Sequence, residues 1–252
     1  MPDTSGQRPL HDAVAIVTGA TSGIGRAIAF ALVEAGCRVV ATGRSPDRLR
    51  ELGEALGPAV LPLSLDLTDH AAIARLPVQL PPAFSAPSIL INNAGEDVGG
   101  RTRFDASSAD DLARVIEINL VGVIHMIRAI VPAMIECRSG DIVNIGSTQA
   151  MRPAQNMAVY TASKAGAHGL TDVLRADYAK IGIRVMEVVP GLTRTGFAQT
   201  RFHGDADRAR AYFDQFPSAL APEDVAEAVC YALTRPRHVN LQQIVITPTW
   251  QW

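Results

Sequence analysis

The chain has 252 residues, enough for one large α/β domain, and its formal net charge of −2 gives no electrostatic reason to expect nucleic acid or an anionic membrane as a partner. Its three cysteines form no close pair, which argues against disulfides, and no cysteine–histidine cluster has the spacing of a zinc site. Residues 1–12 form a polar tail without the apolar stretch of a signal peptide, and no apolar run approaches the ~20 residues that span a bilayer, so we expect a cytoplasmic protein without a membrane segment.

Short β-branched runs alternate along the chain with longer segments of helical period. The seven predicted strands lie in the runs AVAIVTG, RVVATG, AVLPLSLDLT, SILINNAG, GDIVNIGS, IRVMEVVPG and LQQIVITPT. Predicted helices lie between them, and the two longest cover residues 109–136 and 157–181. This alternation predicts an α/β fold: a single Rossmann-like doubly wound domain over residues 1–252, with a seven-stranded parallel sheet and helices on both faces.

A glycine-rich turn, TGATSGIG, follows the first predicted strand and opens the first predicted helix. Gly19 allows a tight turn, Gly23 lets the backbone approach a phosphate, and Gly25 permits close packing of helix on strand. The N–H groups at the start of the helix can then bind an anion. A tight turn between strand and helix needs glycine in any case, but this position at the start of an alternating chain favours a nucleotide site.

A serine, a tyrosine and a lysine are spaced for shared chemistry further along the chain. Tyr160 and Lys164 are four residues apart, so they lie on one face of the predicted helix. An ammonium near a phenol lowers the phenol pKa, and a phenol tuned in this way can exchange a proton with a carbonyl or alcohol oxygen. Ser147 ends the preceding strand, at the edge where open parallel sheets bind ligands. Each residue alone is more simply explained by packing, capping or solvation, and only the combination is informative.

Four motifs occur in order between about Ala13 and Gly191: TGATSGIG, NNAG, Ser147 thirteen residues before Tyr160, and YTASK. Together they resemble the short-chain dehydrogenase/reductase family. The resemblance implies that Tyr160 is the catalytic acid and base, that Lys164 binds the nicotinamide ribose and lowers the tyrosine pKa, and that Ser147 orients the substrate carbonyl. It also implies that the main chain at Asn119 holds a water of a proton relay through Lys164.

The residues after the second strand bear on the choice of cofactor. Gly43 stands where members of the family that prefer NAD carry an aspartate, and Arg44 follows it. A guanidinium there can bind the 2′-phosphate of NADP(H), and Ser45 can add a hydroxyl, so NADP(H) is expected over NAD(H). The cofactor contacts expected from single residues and from the resemblance are Gly19, Thr21, Ser22, Gly23, Ile24, Gly25, Arg44, Ser45, Asp66, Leu67, Asn93, Ala94, Gly95, Tyr160, Lys164, Pro190, Gly191 and Thr193.

Two variable segments, residues 148–157 and 192–216, are expected to set the substrate, and the second is predicted to be a lid. Their methionines and phenylalanines favour an apolar or aromatic substrate. Arg194 and Arg201 are most simply solvated, with contact to an acidic substrate as the alternative. Glu96 and Asp97 are likewise expected in a solvated loop. The C-terminal run NLQQIVITPTWQW lacks the aspartate and paired glycines common in the family, and its two tryptophans are expected at a subunit contact.

The expected function is an NAD(P)-dependent oxidoreductase that interconverts a ketone or aldehyde and an alcohol by hydride transfer. One alternative is a regulator on the same fold that senses the redox cofactor without turnover, although such proteins normally lose the tyrosine or the lysine. A second alternative is a reductase of C=C or C=N bonds. The apolar surplus of the two long helices and the family resemblance predict a homo-oligomer, most simply a homotetramer.

Overall fold

The computed structural model describes residues 8–251, so the first seven residues of the predicted polar tail and the predicted subunit contact of Trp252 lie outside the described chain. Seven parallel strands form one sheet in the order β3-β2-β1-β4-β5-β6-β7. Their bounds are β1 Val14–Val17, β2 Arg38–Gly43, β3 Val60–Ser64, β4 Pro87–Asn92, β5 Gly140–Ile145, β6 Ile183–Pro190 and β7 Gln243–Ile246. All seven predicted strands are confirmed, as is the doubly wound parallel sheet.

Nine α-helices connect and cover the strands of the described chain. They are α1 Gly23–Glu34, α2 Pro46–Leu56, α3 His70–Gln79, α4 Ala109–Ile116, α5 Gly122–Glu136, α6 Ala158–Tyr178, α7 Phe197–Arg201, α8 Ala206–Phe213 and α9 Pro222–Leu233. Side chains of α1, α2 and α9 pack on one face of the sheet, and side chains of α3, α5 and α6 pack on the other.

The strand β1 shows why both faces need cover. Its alternate residues Ala15 and Val17 belong to one apolar cluster, while Val14 and Ile16 belong to the other. All four are buried, as expected of a strand at the centre of a parallel sheet. The order of the strands places the reversal of winding between β1 and β4, where open α/β sheets bind ligands at the carboxyl ends of the strands.

The predicted helix 109–136 is continuous, but its middle turn is wider than an α-helix. Residues Glu117–Val121 form a π-helical turn between α4 and α5. By length and composition alone, this helix also passes the test for a membrane span, with a mean hydropathy of 1.8 over its most apolar window. Half of that window is buried within the protein, and side chains such as Met126 and Ile130 pack under the sheet. Such burial is typical of a core helix, which passes the same test.

Two short helices in the lid segment were not predicted from the sequence. Helices α7 and α8 lie between β6 and α9 and pack on each other through Ala198, Ala209, Tyr212 and Phe213. Asp205 caps α8 by accepting hydrogen bonds from the main chain of the first turn. They are too short to show a clear helical period, since α7 has only five residues and α8 has eight.

Candidate active site

A cleft of about 880 Å³ opens at the carboxyl ends of the strands, over the reversal point of the sheet. The glycine-rich turn forms its floor at the start of α1. A Cβ added at Gly25 would lie 2.4 Å from both the Gly19 carbonyl oxygen and the Asn93 Nδ2, so only glycine fits there. Gly19 and Gly23 have φ of +66° and +51°, in the left-handed region that favours glycine. The turn therefore brings bare backbone and the start of α1 to the cleft.

Asn93 fixes the shape of this turn. Its Nδ2 donates to the carbonyl oxygens of Thr18 and Gly19 at 2.9 and 3.3 Å. The Thr18 hydroxyl in turn accepts from the main-chain N–H groups of Asn93 and Ala94, at 3.0 Å each. These bonds join the ends of β1 and β4 at the base of the cleft.

The end of the cleft beside β2 and β3 carries alternating charges. Asp66 accepts from the main chain and hydroxyl of Thr68, at 2.9 Å each. Burial acts to raise the pKa of Asp66, but these bonds and the positive charges of Arg44 and Arg114 bring that pKa below its usual value. The Glu96 carboxylate is buried and forms ion pairs with both arginines. The expectation of a solvated loop at Glu96 is therefore wrong, because two guanidinium groups cover it.

The serine, tyrosine and lysine lie together at the middle of the cleft. Tyr160 and Ser147 line the same cleft, and the Ser147 hydroxyl is close enough to the phenol to act on its pKa. Lys164 is buried, donates from Nζ to the Ile145 carbonyl oxygen at 2.9 Å, and lies 6.0 Å from the centroid of the Tyr160 ring. Helix α6 carries both the phenol and the amine, and the end of β5 carries Ser147. The three groups predicted to act together are thus brought to one place.

Protonation of the pair differs from the expectation. Burial raises the pKa of Tyr160 to about 12, although the Ser147 hydroxyl acts to lower it. Burial likewise lowers the pKa of Lys164 to about 8, while the negative charge of Glu187 acts to raise it. The pKa of Tyr160 is thus raised and not lowered, because loss of hydration on burial has the largest effect on this phenol.

Asn119 lies in the π-helical turn and is held by main-chain and side-chain partners. Its Oδ1 accepts from the Glu96 main chain at 2.8 Å, and its Nδ2 donates to the Glu96 carbonyl oxygen at 2.8 Å and to the Ser163 hydroxyl at 3.1 Å. Wide helical turns of this kind occur frequently at functional sites, and this one aims Asn119 at the strand end that carries Glu96.

The other half of the cleft contains a buried ion pair over the tyrosine. The Arg201 Nε donates to the Asp97 Oδ2 at 2.7 Å, and both side chains are less than one tenth exposed. Burial raises the pKa of Asp97, although Arg201 and Arg101 act to lower it. Both Asp97 and Arg201 were expected in solvent, and both expectations are wrong. With Arg101 also lining the cleft, two cations face one carboxylate there.

Aromatic side chains of the lid and of the C-terminal segment form the walls of this half. Phe197 meets the Tyr160 ring edge-on with centroids 5.9 Å apart, and Trp250 stacks on Phe216 at 5.3 Å. The Trp250 indole N–H donates to the Ser218 carbonyl oxygen, and the Gln251 Oε1 accepts from the Leu192 main chain, at 2.8 Å each. The C-terminal segment thus packs on residues 192–218 of its own chain, and the subunit contact expected for Trp250 stays a prediction.

All of the predicted cofactor residues line this one cleft: Gly19, Thr21, Ser22, Gly23, Ile24, Arg44, Ser45, Asp66, Leu67, Asn93, Ala94, Gly95, Tyr160, Lys164, Pro190, Gly191 and Thr193, with Gly25 directly beneath. Sequence reasoning missed Arg48 and Arg114, which also line it. Arg48 lies in the first turn of α2, four residues after Arg44, and this closeness in sequence gave a signal, whereas Arg114 gave none. In the described range 8–251, no group of three or more histidine, cysteine and acidic residues is arranged to hold a metal ion.

Known proteins resemble this chain over nearly its whole length. The model of the short chain dehydrogenase family matches residues 13–206. An NADP-dependent 3-hydroxy acid dehydrogenase of Salmonella typhi is 39% identical over 239 residues, which cover 94% of this chain and 96% of that protein. A probable NADP-dependent dehydrogenase of Haemophilus influenzae is 38% identical over 238 residues, which are 94% of each chain.

A similar solved structure is the closed form of serine dehydrogenase complexed with NADP+, with a TM-score of 0.92 and 38% identity over 95% of this chain and 96% of that one. A metagenomic short-chain oxidoreductase in complex with NADP has a TM-score of 0.80 at 29% identity, over 96% of this chain and 99% of that one. The matched fold, the glycine-rich turn and the order of the motifs all indicate the same family. This chain belongs to the short-chain dehydrogenase family.

Proposed function

We propose that the protein is an NADP(H)-dependent dehydrogenase that interconverts a carbonyl group and an alcohol on a small acidic substrate. The observation that carries this proposal is the position of Tyr160, which lines one cleft together with Ser147, Lys164 and the glycine-rich turn. Ser147 holds the substrate oxygen, and Tyr160 gives that oxygen a proton in reduction and takes it back in oxidation. The nicotinamide, when bound, supplies or accepts the hydride.

The protonation states suit this division of work. With a pKa of about 12, Tyr160 keeps its proton at neutral pH and is ready to act as an acid. With a pKa of about 8, Lys164 is largely an ammonium at pH 7 and stabilises the phenolate that forms when the proton leaves. The Asn119 side chain bonds both the N–H and the carbonyl oxygen of Glu96, and it thereby fixes the loop after β4.

The residues present fit a dinucleotide. The glycine-rich turn lines the cleft with bare backbone beside the N-terminal N–H groups of α1, which can bind a phosphate. Asp66 remains ionised at the adenosine end and can accept from the adenine amino group. Pro190, Gly191 and Thr193 follow β6 and line the cleft on the nicotinamide side.

Arg44 is proposed to select NADP(H) through the 2′-phosphate. Its guanidinium is half exposed at the end of β2, where the 2′ position of the adenosine ribose lies in this type of site. A Cβ at Gly43 would lie 2.6 Å from the Thr21 methyl, so the aspartate that favours NAD would require the Thr21 side chain to move. The relatives and similar structures named above include NADP-dependent dehydrogenases and NADP complexes, which supports the same choice.

Replacing Arg44 with glutamine is expected to lower the ratio of kcat/KM for NADPH over NADH by ~10–100-fold, because a charge-assisted contact to the phosphate is lost. The change is measured by following reduced cofactor at 340 nm with one carbonyl substrate. Arg50→Gln is the matched control, since Arg50 pairs with Asp47 and Glu54 on the outer face of α2. An unchanged ratio in Arg44→Gln would contradict the assignment.

The acidic substrate follows from the charges over Tyr160. Arg101 and Arg201 face Asp97 in the substrate half of the cleft, which leaves one positive charge in excess. Relatives described as acting on 3-hydroxy acids and on serine support a substrate with a carboxylate. Both arginines line the same cleft as Tyr160, so they can bind a substrate carboxylate. The apolar or aromatic substrate remains the alternative that the phenylalanines of the lid favour.

The domain organisation and location are proposed on the same basis. Residues 8–251 are treated as one domain, because both apolar clusters share the single sheet. The segment 192–216 is proposed as the substrate lid, since its side chains cover Tyr160 and its Arg201 bonds to the loop after β4. A cytoplasmic location is proposed from the unpaired cysteines and from the cofactor.

A homotetramer is proposed from the apolar surface of the long helices. Ile124 on α5 and Val173 on α6 are 41% and 60% exposed, although both helices otherwise pack on the sheet. Light scattering at micromolar concentration is expected to give four times the chain mass. Ile124→Asp is expected to lower that mass, whereas Val78→Asp, at a position 85% exposed on α3, is the control that leaves it unchanged. A wild-type chain that scatters as a monomer would refute the assembly.

A panel of substrates separates this function from the alternatives. Oxidation of NADPH by a 3-keto acid, with none by an activated alkene or an imine, is the expected result. Turnover only with the alkene or the imine would favour a C=C or C=N reductase. Tight NADPH binding without turnover of any of the three would favour the regulator.

A further inference from the structure

Glu96 places a buried carboxylate at the adenosine end of the cleft, where the cofactor is itself anionic. The carboxylate contacts the Arg44 guanidinium. It also accepts from Arg114 at 2.8 Å from Nε and 3.3 Å from Nη2. A negative charge beside a site for two or more phosphates opposes the binding of the cofactor. The Glu96 carboxylate is on the adenosine side of the cleft, so catalysis does not explain why it is there.

The contact with Arg44 crosses the cleft. Arg44 follows β2 and Glu96 follows the end of β4, and in the sheet β1 lies between these two strands. The two chain positions are therefore about 10 Å apart, twice the spacing of neighbouring strands. The ion pair passes over the carboxyl end of β1, where the glycine-rich turn begins. Arg44 consequently points towards β4.

The two partners differ in their freedom to move. The main chain of Glu96 is fixed by its paired bonds to Asn119, at 2.8 Å each, so the carboxylate stays in place. The Arg44 side chain is 50% exposed and carries its guanidinium on a long flexible stem. A ligand that needs Arg44 therefore moves the arginine and leaves the glutamate where it is.

Arg114 allows this exchange without leaving a buried charge unpaired. Its two contacts hold the Glu96 carboxylate from the side of α4, whether or not Arg44 is present. Removing every partner from a buried carboxylate is costly, and removing one of two is much less so. Of the three side chains, Arg44 is therefore the one that can leave the Glu96 carboxylate and bind another anion.

We propose that Glu96 competes with the 2′-phosphate of NADP(H) for Arg44 and thereby limits the affinity and the selectivity of the protein for NADP(H). This inference rests on the proposed cofactor and on Arg44 as its phosphate ligand. Arg44 cannot serve both anions well, because a carboxylate and a phosphate on one guanidinium repel each other. Binding of NADP(H) therefore breaks the contact with Glu96, whereas NAD(H), which has no 2′-phosphate, has no such need.

The test measures dissociation constants of NADP+ and NAD+ by isothermal titration calorimetry, on the full chain. Glu96→Gln is expected to strengthen NADP+ binding by about three- to tenfold, with NAD+ changed by less than about twofold. Arg114→Gln is expected to weaken the preference for NADP+ over NAD+, because the Glu96 carboxylate then has Arg44 as its main partner. Two partners of one structural ion pair would instead shift binding in the same direction.

Two further variants isolate the competition. Glu117→Gln removes a carboxylate that pairs with His70 rather than with Arg44, so it controls for the general loss of one negative charge and is expected to leave the ratio unchanged. In the Arg44→Gln background, Glu96→Gln is expected to leave the ratio unchanged as well, since the residue for which the two anions compete is absent.

The outcomes distinguish this inference from the proposed function. If wild type does not prefer NADP+, or if Arg44→Gln does not reduce the preference, the proposed cofactor ligand fails. If Arg44 carries the preference but Glu96→Gln lowers the preference for NADP+, Glu96 positions Arg44 for the phosphate and the competition is overturned. An unchanged preference in Glu96→Gln overturns it as well, because Glu96 then has no influence on the contact. If Glu96→Gln strengthens the preference for NADP+ in the Arg44→Gln background as well, the competition is also overturned, because the effect would then be a general one of charge.

Discussion

Replacing Tyr160 with phenylalanine is expected to lower kcat by ~10²–10⁴-fold, the usual contribution of a positioned acid or base. The ring still packs edge-on against Phe197, and only the hydroxyl that Ser147 contacts is lost. The fold and the affinity for NADPH should therefore stay close to wild type. Steady-state turnover and quenching of protein fluorescence by NADPH measure the two quantities separately.

A matched control separates the chemistry from the loss of a phenol as such. Tyr231 on α9 is 55% exposed and contacts Arg235, so Tyr231→Phe should leave both turnover and affinity unchanged. Near-normal turnover in Tyr160→Phe would remove Tyr160 from the mechanism. A large loss of NADPH affinity in the same variant would show a binding role in place of proton transfer.

The parts of the site that were predictable depend on local spacing. Tyr160 and Lys164 lie on one face of α6 because four residues make about one helical turn, and this needs no knowledge of the rest of the chain. The glycine-rich turn is similar, since the strand, the glycines and the helix are contiguous in sequence. Strands of near-continuous apolar residues also indicated the parallel sheet, because both faces of β1 are covered by helices.

Charged residues were predictable only where local spacing decides their surroundings. Glu96 and Asp97 follow a strand and look like a solvated loop, yet both are buried. Their cover comes from Arg114 on α4 and from Arg201 on α7, which are separated from them by 18 and 104 residues. No periodicity links positions so far apart in sequence. The pKa of Tyr160 depends in the same way on the folded chain, because burial has the largest effect on it.

The second large prediction concerns the ion pair between Asp97, in the loop after β4, and Arg201 of α7. Arg201→Gln removes the partner of a buried carboxylate and, under the proposed function, the group that holds the substrate carboxylate. Losing one member of a buried charge pair typically costs about 2–5 kcal/mol, so kcat/KM for a 3-keto acid is expected to fall by ~30–5,000-fold. The uncharged methyl ester of that acid should lose much less, since it makes no ion pair.

The opposite change at Asp97 tests whether charge or structure is responsible. Asp97→Asn keeps a hydrogen-bonding side chain beside Arg201 but leaves the guanidinium without its counter-charge, so an anionic substrate becomes the best remaining partner. The ratio of kcat/KM for the acid over its ester is therefore expected to rise in Asp97→Asn and to fall in Arg201→Gln. Measuring both substrates in both variants decides the matter. If the two variants slow the acid and the ester equally, the pair only fastens α7 to the loop after β4, and substrate charge is recognised elsewhere.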